Sequence, residues 1–172
     1  EKPQPMKIAF STLGCPDFSW SDIYSVAKDF GFDGIEIRGI GKEISAVKAR
    51  PFIDGQIDRT IATLERLGLE IPCVTSGCCL KFADKLEETK AELAEYIKLA
   101  VRLGTPYIRV LADLEPDPRD EIDDEYMARA IKEVAASAKD TGVTLLIETN
   151  GVYSDTKRLR ALLDKVNCRE VA

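Results

Sequence analysis

The sequence contains no histidine among its 172 residues. This absence excludes a Ser-His-Asp triad, a Cys-His pair and any imidazole metal ligand supplied by this chain. Basic residues are also in the minority, with 24 Lys and Arg against 30 Asp and Glu, and the net charge of −6 argues against a broad nucleic-acid surface. No apolar run is long enough for a membrane-spanning helix. We therefore expect neither nucleic acid nor membrane as a partner.

Cysteine is present but lacks the spacing of a disulfide framework or a zinc site. The odd number of cysteines, five, and the absence of a Cys-x-x-Cys pair predict reduced thiols and a cytoplasmic location. Cys78 and Cys79 are adjacent, which does not suit the paired knuckles of a zinc site, so a structural role is favoured. Residues 1–5 have no structural pattern, and we expect a flexible leader followed by one domain over residues 6–172.

Short β-rich runs alternate with longer amphipathic stretches along the chain, a pattern typical of βα units around a parallel sheet. Four predicted helices end at a glycine, a residue suited to the left-handed position that terminates a helix. These glycines are Gly31, Gly68, Gly104 and Gly142. The predicted strands cover residues 7–13, 34–40, 71–76, 107–111 and 143–149. One strand-and-helix unit is thus repeated five times.

Two architectures accommodate five such units. A closed (β/α) barrel needs eight units and about 250 residues, so this length predicts an incomplete TIM-type barrel with outer helices. Residues 168–172 resemble the start of a sixth strand, which suggests that the chain stops early. The competing architecture is an open, doubly wound sheet of five strands. However, the loop at residues 13–17 after the first strand has neither of the glycine-rich phosphate-binding patterns usual for that fold.

Strand parity predicts which polar side chains face the interior of such a barrel, because outward-facing residues must be apolar where helices cover them. By this rule Glu36, Arg38, Arg109, Glu148 and Asn150 point inward near the carboxyl ends of their strands. The third strand is apolar in both parities and cannot be oriented. The inward charges form either an internal ion-pair layer or a functional site. The second interpretation is favoured, because barrel enzymes place their chemistry at this end.

Three runs carry a resemblance to a known superfamily: KIAFSTL at residues 7–13, GFDGIEIR at residues 31–38 and LIETNG at residues 146–151. They resemble the xylose isomerase-like TIM barrels from about residue 6 onward. This superfamily includes sugar phosphate isomerases and epimerases, inosose dehydratases and endonuclease IV. The nuclease alternative requires a histidine-rich metal site and a basic groove, which this chain does not provide.

The resemblance implies roles for individual residues. Glu148 corresponds to a glutamate that binds a divalent metal (Mn²⁺, Mg²⁺, Co²⁺ or Zn²⁺) and acts as the base that removes a proton next to a carbonyl. Glu36 belongs to the polar shell around a sugar or sugar phosphate, and Arg38, Arg109 and Asn150 are expected to bind substrate. The remaining metal ligands of the family lie on later strands. The chain alone is therefore expected to be inactive and to hold no metal stably.

Three further expectations concern the surface. Trp20 is interpreted either as a packing residue or as a platform for a sugar ring. The acidic segment at residues 113–125 is interpreted as a solvated loop. The alternative to an enzyme fragment is a non-catalytic half-barrel scaffold or binding domain. In either case, the exposed edges of an incomplete barrel predict a homodimer.

Overall fold

The computed structural model describes residues 6–114 and 121–172, so the predicted leader at residues 1–5 lies outside the described residues. The chain divides into two compact units. The first extends to Thr75 and includes Leu103–Thr105, and the second comprises Ser76–Arg102 and Pro106–Ala172. The strand Cys73–Cys79 crosses the division. The two units are described separately.

The first unit contains two complete βα repeats. Strand β1 (Ala9–Ser11) leads to helix α1 (Trp20–Asp29), and β2 (Gly34–Glu36) leads to α2 (Ile57–Leu67). Strands β1 and β2 pair in parallel, with Phe10 opposite Ile35. A parallel bridge from Ile37 to Val74 continues the pairing toward β3, the strand that begins at Cys73.

The second unit repeats the pattern around a sheet with the strand order β3-β4-β5. Its strands β4 and β5 pair in parallel. The elements after β3 (Cys73–Cys79) are α3 (Leu86–Leu103), β4 (Tyr107–Leu111), α4 (Asp124–Ala135), β5 (Thr144–Ile147) and α5 (Thr156–Val166). The predicted start of a sixth strand is confirmed: Val171 forms a parallel bridge with Leu145, and the Ala172 amide donates to the Leu145 carbonyl at 2.9 Å.

Local sequence signals explain where the helices begin and end. Ser19 and Asp22 form the capping box expected at the start of α1, with each side chain bound to the other residue's backbone amide. Asp155 caps α5 by accepting from the Lys157 amide. Gly68 terminates α2 at φ 68°, a left-handed conformation that is costly for residues with a Cβ atom.

The fold class is confirmed as a TIM-barrel-type arrangement of βα units, and within residues 6–114 and 121–172 the strands do not close a barrel. Strand β4 has the predicted limits, but other strands differ. Strand β1 is three residues long instead of seven, because the Ser11 side chain accepts from the Leu13 amide and starts a 3-10 turn at Thr12–Gly14. No helix in the described ranges combines the length and the apolar character needed to cross a membrane.

Candidate functional site

Burial alternates along three strands as the parity rule predicts. In β2 and the residue after it, Ile35 and Ile37 are fully buried, whereas Glu36 between them is only partly buried. The same alternation holds in β4, where Ile108 and Val110 flank a partly exposed arginine, and in β5. The polar side chains therefore lie on the opposite face of each strand from the apolar core residues.

Glu36 is held by hydroxyl groups from the two neighbouring strands of the first unit. Thr75 Oγ1 donates to Glu36 Oε1 at 2.7 Å, and Ser11 Oγ donates to the same oxygen at 3.3 Å. Thr75 is buried, so its hydroxyl has few alternatives to this bond. The second carboxylate oxygen, Oε2, makes no hydrogen bond within the described residues. Glu36 is thus an oriented acceptor with one oxygen remaining for a polar ligand.

Arg38 is directed into the following loop. Its Nη1 donates to the Ile44 carbonyl at 2.9 Å, and its backbone amide donates to Thr12 Oγ1 at 2.9 Å. Among the described residues Arg38 makes no ion pair with Glu36. The guanidinium therefore stabilises the loop after β2, and its contact with substrate stays a prediction.

The second unit brings two of the predicted residues together. Arg109 Nε lies 2.8 Å from Glu148 Oε2, and the arginine side chain is 19% exposed while the glutamate side chain is 46% exposed. Arg109 Nη1 is buried and has no hydrogen-bond partner within the described part of the chain. A buried donor without a partner is costly, about 1–3 kcal/mol. The pair is therefore incompletely satisfied on its arginine side.

Asn150 holds the loop after β5 in place. Its Nδ2 donates to the backbone carbonyls of Asp113 at 3.2 Å and of Leu114 at 3.3 Å. These bonds join the segments that follow β4 and β5. They use the amide donors of Asn150, and the predicted contact between Asn150 and substrate stays a prediction.

Asp113 has a buried structural role that its sequence context does not indicate. Its side chain is fully buried, its Oδ2 accepts from the Val152 amide at 3.0 Å, and Lys81 Nζ lies 3.3 Å from Oδ1. The interpretation of residues 113–125 as solvated is therefore wrong for Asp113. Residues 115–120 of that segment lie outside the described residues. The misleading signal was the acidic run, since a buried carboxylate is rare unless paired.

Trp20 packs among aromatic side chains at the start of α1. Its ring meets Tyr24 edge-on with centroids 5.7 Å apart, and meets Phe52 with centroids 5.6 Å apart. Such tilted pairs contribute about 0.5–1.5 kcal/mol beyond the burial of apolar area. These contacts support the packing interpretation, whereas stacking on a sugar stays a prediction.

The residues present do not by themselves fit a divalent metal. Within the described ranges no three or more acidic or cysteine side chains are grouped so that they could hold an ion. One oxygen of Glu148 already faces a guanidinium, which competes with a cation for the carboxylate. Burial raises the pKa of the Cys78 thiol to about 11, which disfavours the thiolate form that binds metals.

Glu36 belongs to the first unit and Glu148 to the second, so the shared cavity expected from strand parity stays a prediction. What the structure provides is one oriented carboxylate in each unit. Glu36 is oriented by hydroxyls and Glu148 by a guanidinium. Each of them lies at the carboxyl end of a parallel strand of its own unit.

Comparison with known proteins places the chain in a family. A family model described as a xylose isomerase-like TIM barrel matches residues 24–172. The chain belongs to this family. A comparison with curated protein sequences gives no match.

Solved structures of the family share the fold at low sequence identity. A probable 3-DHS dehydratase of Bacillus anthracis, involved in petrobactin synthesis, is 20% identical with a TM-score of 0.76, over 96% of this chain and 61% of its own. A xylose isomerase-like TIM barrel protein of Mycobacterium smegmatis in complex with magnesium is 16% identical with a TM-score of 0.74, over 96% and 62%.

A D-allulose 3-epimerase of Methylomonas sp. is 18% identical with a TM-score of 0.71, over 98% of this chain and 62% of its own. The present chain thus spans about 61–62% of the length of these three proteins. At such identities the likeness establishes the fold and leaves the reaction to be argued from the residues.

Proposed function

We propose that this chain is the amino-terminal portion of a metal-dependent sugar or sugar-phosphate isomerase or epimerase that transfers a proton next to a carbonyl. The observation that carries the proposal is the Arg109–Glu148 pair, which combines a solvent-accessible carboxylate with a guanidinium whose buried Nη1 has no hydrogen-bond partner among the described residues. A carboxylate serves as the base, and a donor aimed at the substrate oxygen stabilises the charge that develops there.

In this reaction the Glu148 carboxylate takes the proton from the carbon beside the carbonyl. The electron pair of the broken C–H bond forms a C=C bond, and the carbonyl electrons move to oxygen to give an enediolate. The Arg109 guanidinium, which lies beside Glu148, would stabilise the negative charge on that oxygen. Return of the proton from the opposite face needs a second acid, which we expect from βα units outside this chain.

Metal dependence is part of the proposal for the complete protein. The M. smegmatis structure contains magnesium and the Methylomonas protein is an epimerase, which supports this assignment without extending it to a particular substrate. Glu148 would contribute one ligand to Mn²⁺, Mg²⁺, Co²⁺ or Zn²⁺, and the other ligands would come from later strands. Such an ion supplies Lewis acidity at the carbonyl oxygen. The chain alone is expected to be inactive and to hold no metal stably.

The test measures exchange of the substrate's hydrogen with solvent, catalysed by the protein made from its complete coding sequence. Ketoses, aldoses and their phosphates are incubated in D₂O with Mn²⁺, and mass spectrometry detects deuterium beside the carbonyl. We expect exchange with at least one sugar and a decrease of roughly a hundredfold or more in Glu148→Gln. Glu95→Gln, on the exposed face of α3, is the matched control. Full exchange by Glu148→Gln would remove the assigned base.

A second candidate function is a non-catalytic half-barrel scaffold that self-associates. One observation favours it: an apolar groove of about 720 Å³ beside β1, in which Leu13 is 67% and Phe30 is 77% exposed. Exposed apolar grooves of this kind are common at protein–protein contacts. We propose a homodimer through this edge. A monomer mass in light scattering at high concentration would contradict it, and Phe30→Ser should weaken association more than Val101→Ser on α3.

The cellular location is proposed to be the cytoplasm. All five cysteines lie in the described residues and none is joined in a disulfide, and Cys15 and Cys168 are partly exposed. Cysteines that are not oxidised to disulfides are typical of a reducing compartment. Fractionation of cells that express the complete protein tests this, and recovery outside the cytoplasm would contradict it.

A further inference from the structure

A groove of about 620 Å³ lies in the first unit beside helices α1 and α2. Its volume is in the range of small-molecule sites, about 300–1,000 Å³. Neither Glu36 nor any residue of the Arg109–Glu148 pair lines it. The groove is therefore distinct from the strand-end residues that carry the proposed reaction, and it shares with the expected sugar contacts only Trp20. The inference does not depend on that reaction.

Positive charge distinguishes this groove from the rest of the molecule. Arg50, Arg59 and Arg66 line it, and none of the other described residues that line it is a carboxylate. The chain as a whole has a net charge of −6, so three arginines without an acid among them are a local reversal of charge. Guanidinium groups bind phosphate with two parallel hydrogen bonds, which makes arginine the preferred residue for this anion.

The three guanidinium groups have no partner elsewhere in the described part of the chain. Their side chains take part in no ion pair and no hydrogen bond there. By contrast, two arginines of the second unit are engaged: Arg158 binds Asp124 and Arg160 binds Asp164. The donors in the groove are thus available to a ligand.

The spacing of the arginines suits an extended anion. Arg59 and Arg66 are seven residues apart on α2, which places them on one face about 10 Å apart along the helix axis. Thr63 lies between them on the same face and also lines the groove. Arg50 reaches it from the 3-10 turn Arg50–Phe52 that precedes α2.

Part of the groove wall is aromatic. Trp20 and Tyr24 line the groove, and both belong to α1. Phe52, which is buried, packs against the Trp20 ring at a centroid distance of 5.6 Å and an interplanar angle of 66°. A supported ring offers an apolar surface at low entropic cost. The groove thus combines anion donors with a surface for a planar or cyclic group.

We infer that this groove binds an organic phosphate that carries a ring, with the phosphoryl groups on Arg50, Arg59 and Arg66 and the ring against Trp20. A ligand with phosphate alone would leave the aromatic wall unused, and a neutral ring would leave the three guanidinium groups without an anion. The groove is a second small-molecule site, separate from the strand ends.

Trp20 is the only tryptophan, so its fluorescence reports directly on the groove. The full chain is titrated with ADP, AMP, adenosine and inorganic phosphate, with excitation at the red edge of tryptophan absorption. We expect a saturable change with ADP and AMP, a Kd that increases with salt, and no saturation with adenosine. No saturable change with either nucleotide would overturn the inference. An effect of inorganic phosphate as strong as that of AMP would also overturn it, since it would indicate an adventitious ion only.

Variants assign the binding to the arginines. The double variant Arg59→Gln, Arg66→Gln keeps good helix formers in α2 and should raise the Kd for ADP roughly tenfold or more. Arg129→Gln with Arg160→Gln removes two exposed arginines from α4 and α5 and should leave the Kd unchanged. Arg50→Gln, outside α2, gives an independent test should the double variant fail to fold. Equal Kd values in the arginine variants and the control would refute the site.

Discussion

Replacement of Gly151 by alanine should disrupt the buried Asp113 site in the second unit. A Cβ atom on Gly151 would lie 2.0 Å from Asp113 Oδ2 and 2.3 Å from Cγ, distances that no relaxation of a methyl group can accommodate. Asp113 would have to leave the Val152 amide and Lys81 while remaining buried. Breaking a buried charge pair costs about 3–5 kcal/mol, and the left-handed backbone at φ 55° adds about 1–2 kcal/mol.

Gly142→Ala is a matched control, because that glycine is also left-handed, at φ 80°, in the same unit, and a Cβ atom there meets nothing within 4 Å. We expect it to cost only the backbone strain, about 1–2 kcal/mol. Urea unfolding followed by far-ultraviolet circular dichroism measures both. Adding Asp113→Ala to Gly151→Ala should cost less than the sum of the single changes. If Gly151→Ala costs no more than Gly142→Ala, the reasoning is refuted.

Three further predictions concern single contacts. Burial acts to raise the pKa of Asp124, but hydrogen bonds from Arg158 and Tyr153 outweigh it and hold the pKa below its usual value. The Asp124–Arg158 pair therefore contributes stability above about pH 4, and this stability is lost as the pH falls through the lowered pKa. Urea midpoints between about pH 2 and 6 should fall less steeply in Arg158→Gln, and equal slopes would contradict this. Thr75→Val removes the 2.7 Å bond to Glu36 and should lower the free energy of unfolding by about 1–2 kcal/mol, whereas Thr75→Ser should restore most of it. Burial raises the pKa of Cys78 to about 11, so this thiol should resist iodoacetamide at about pH 8 until the protein unfolds. If mass spectrometry shows that the folded protein is labelled at Cys78 as fast as the unfolded protein, the prediction is wrong.

The strand pattern could be predicted from the sequence because burial is one-sided in β2, β4 and β5. Ile35 and Ile37, or Leu145 and Ile147, mark the apolar face without knowledge of the fold. Strand β3 could not be oriented, and the structure shows why: Val74, Thr75 and Ser76 are all buried. When both faces are covered, hydrophobicity no longer alternates. Only the contacts in the structure show that the hydroxyl of Thr75, rather than that of Ser76, binds Glu36.

The candidate site could be predicted only in part. Parity selected Arg38 and Arg109 equally, since each follows an apolar residue near a strand end. The structure directs Arg38 to the Ile44 carbonyl and Arg109 to Glu148. That difference depends on the loop after β2, whose path strand periodicity does not encode. Asp113 could not be predicted because its local sequence is acidic, which is typical of a solvated loop. Its partner, Lys81, lies 32 positions earlier in the sequence.

The Arg109–Glu148 pair is either a structural ion pair or part of a functional site, and its burial distinguishes the two interpretations. A structural pair is stabilising only when its remaining donors are satisfied, because burial of two charges otherwise costs more than their attraction returns. Here the carboxylate is nearly half exposed, so solvent weakens the attraction, while Arg109 Nη1 is buried without a partner in the described residues. Stability alone would favour an apolar residue at Arg109. An arginine placed there at a cost to stability is the arrangement expected of a functional site, where activity takes precedence over stability.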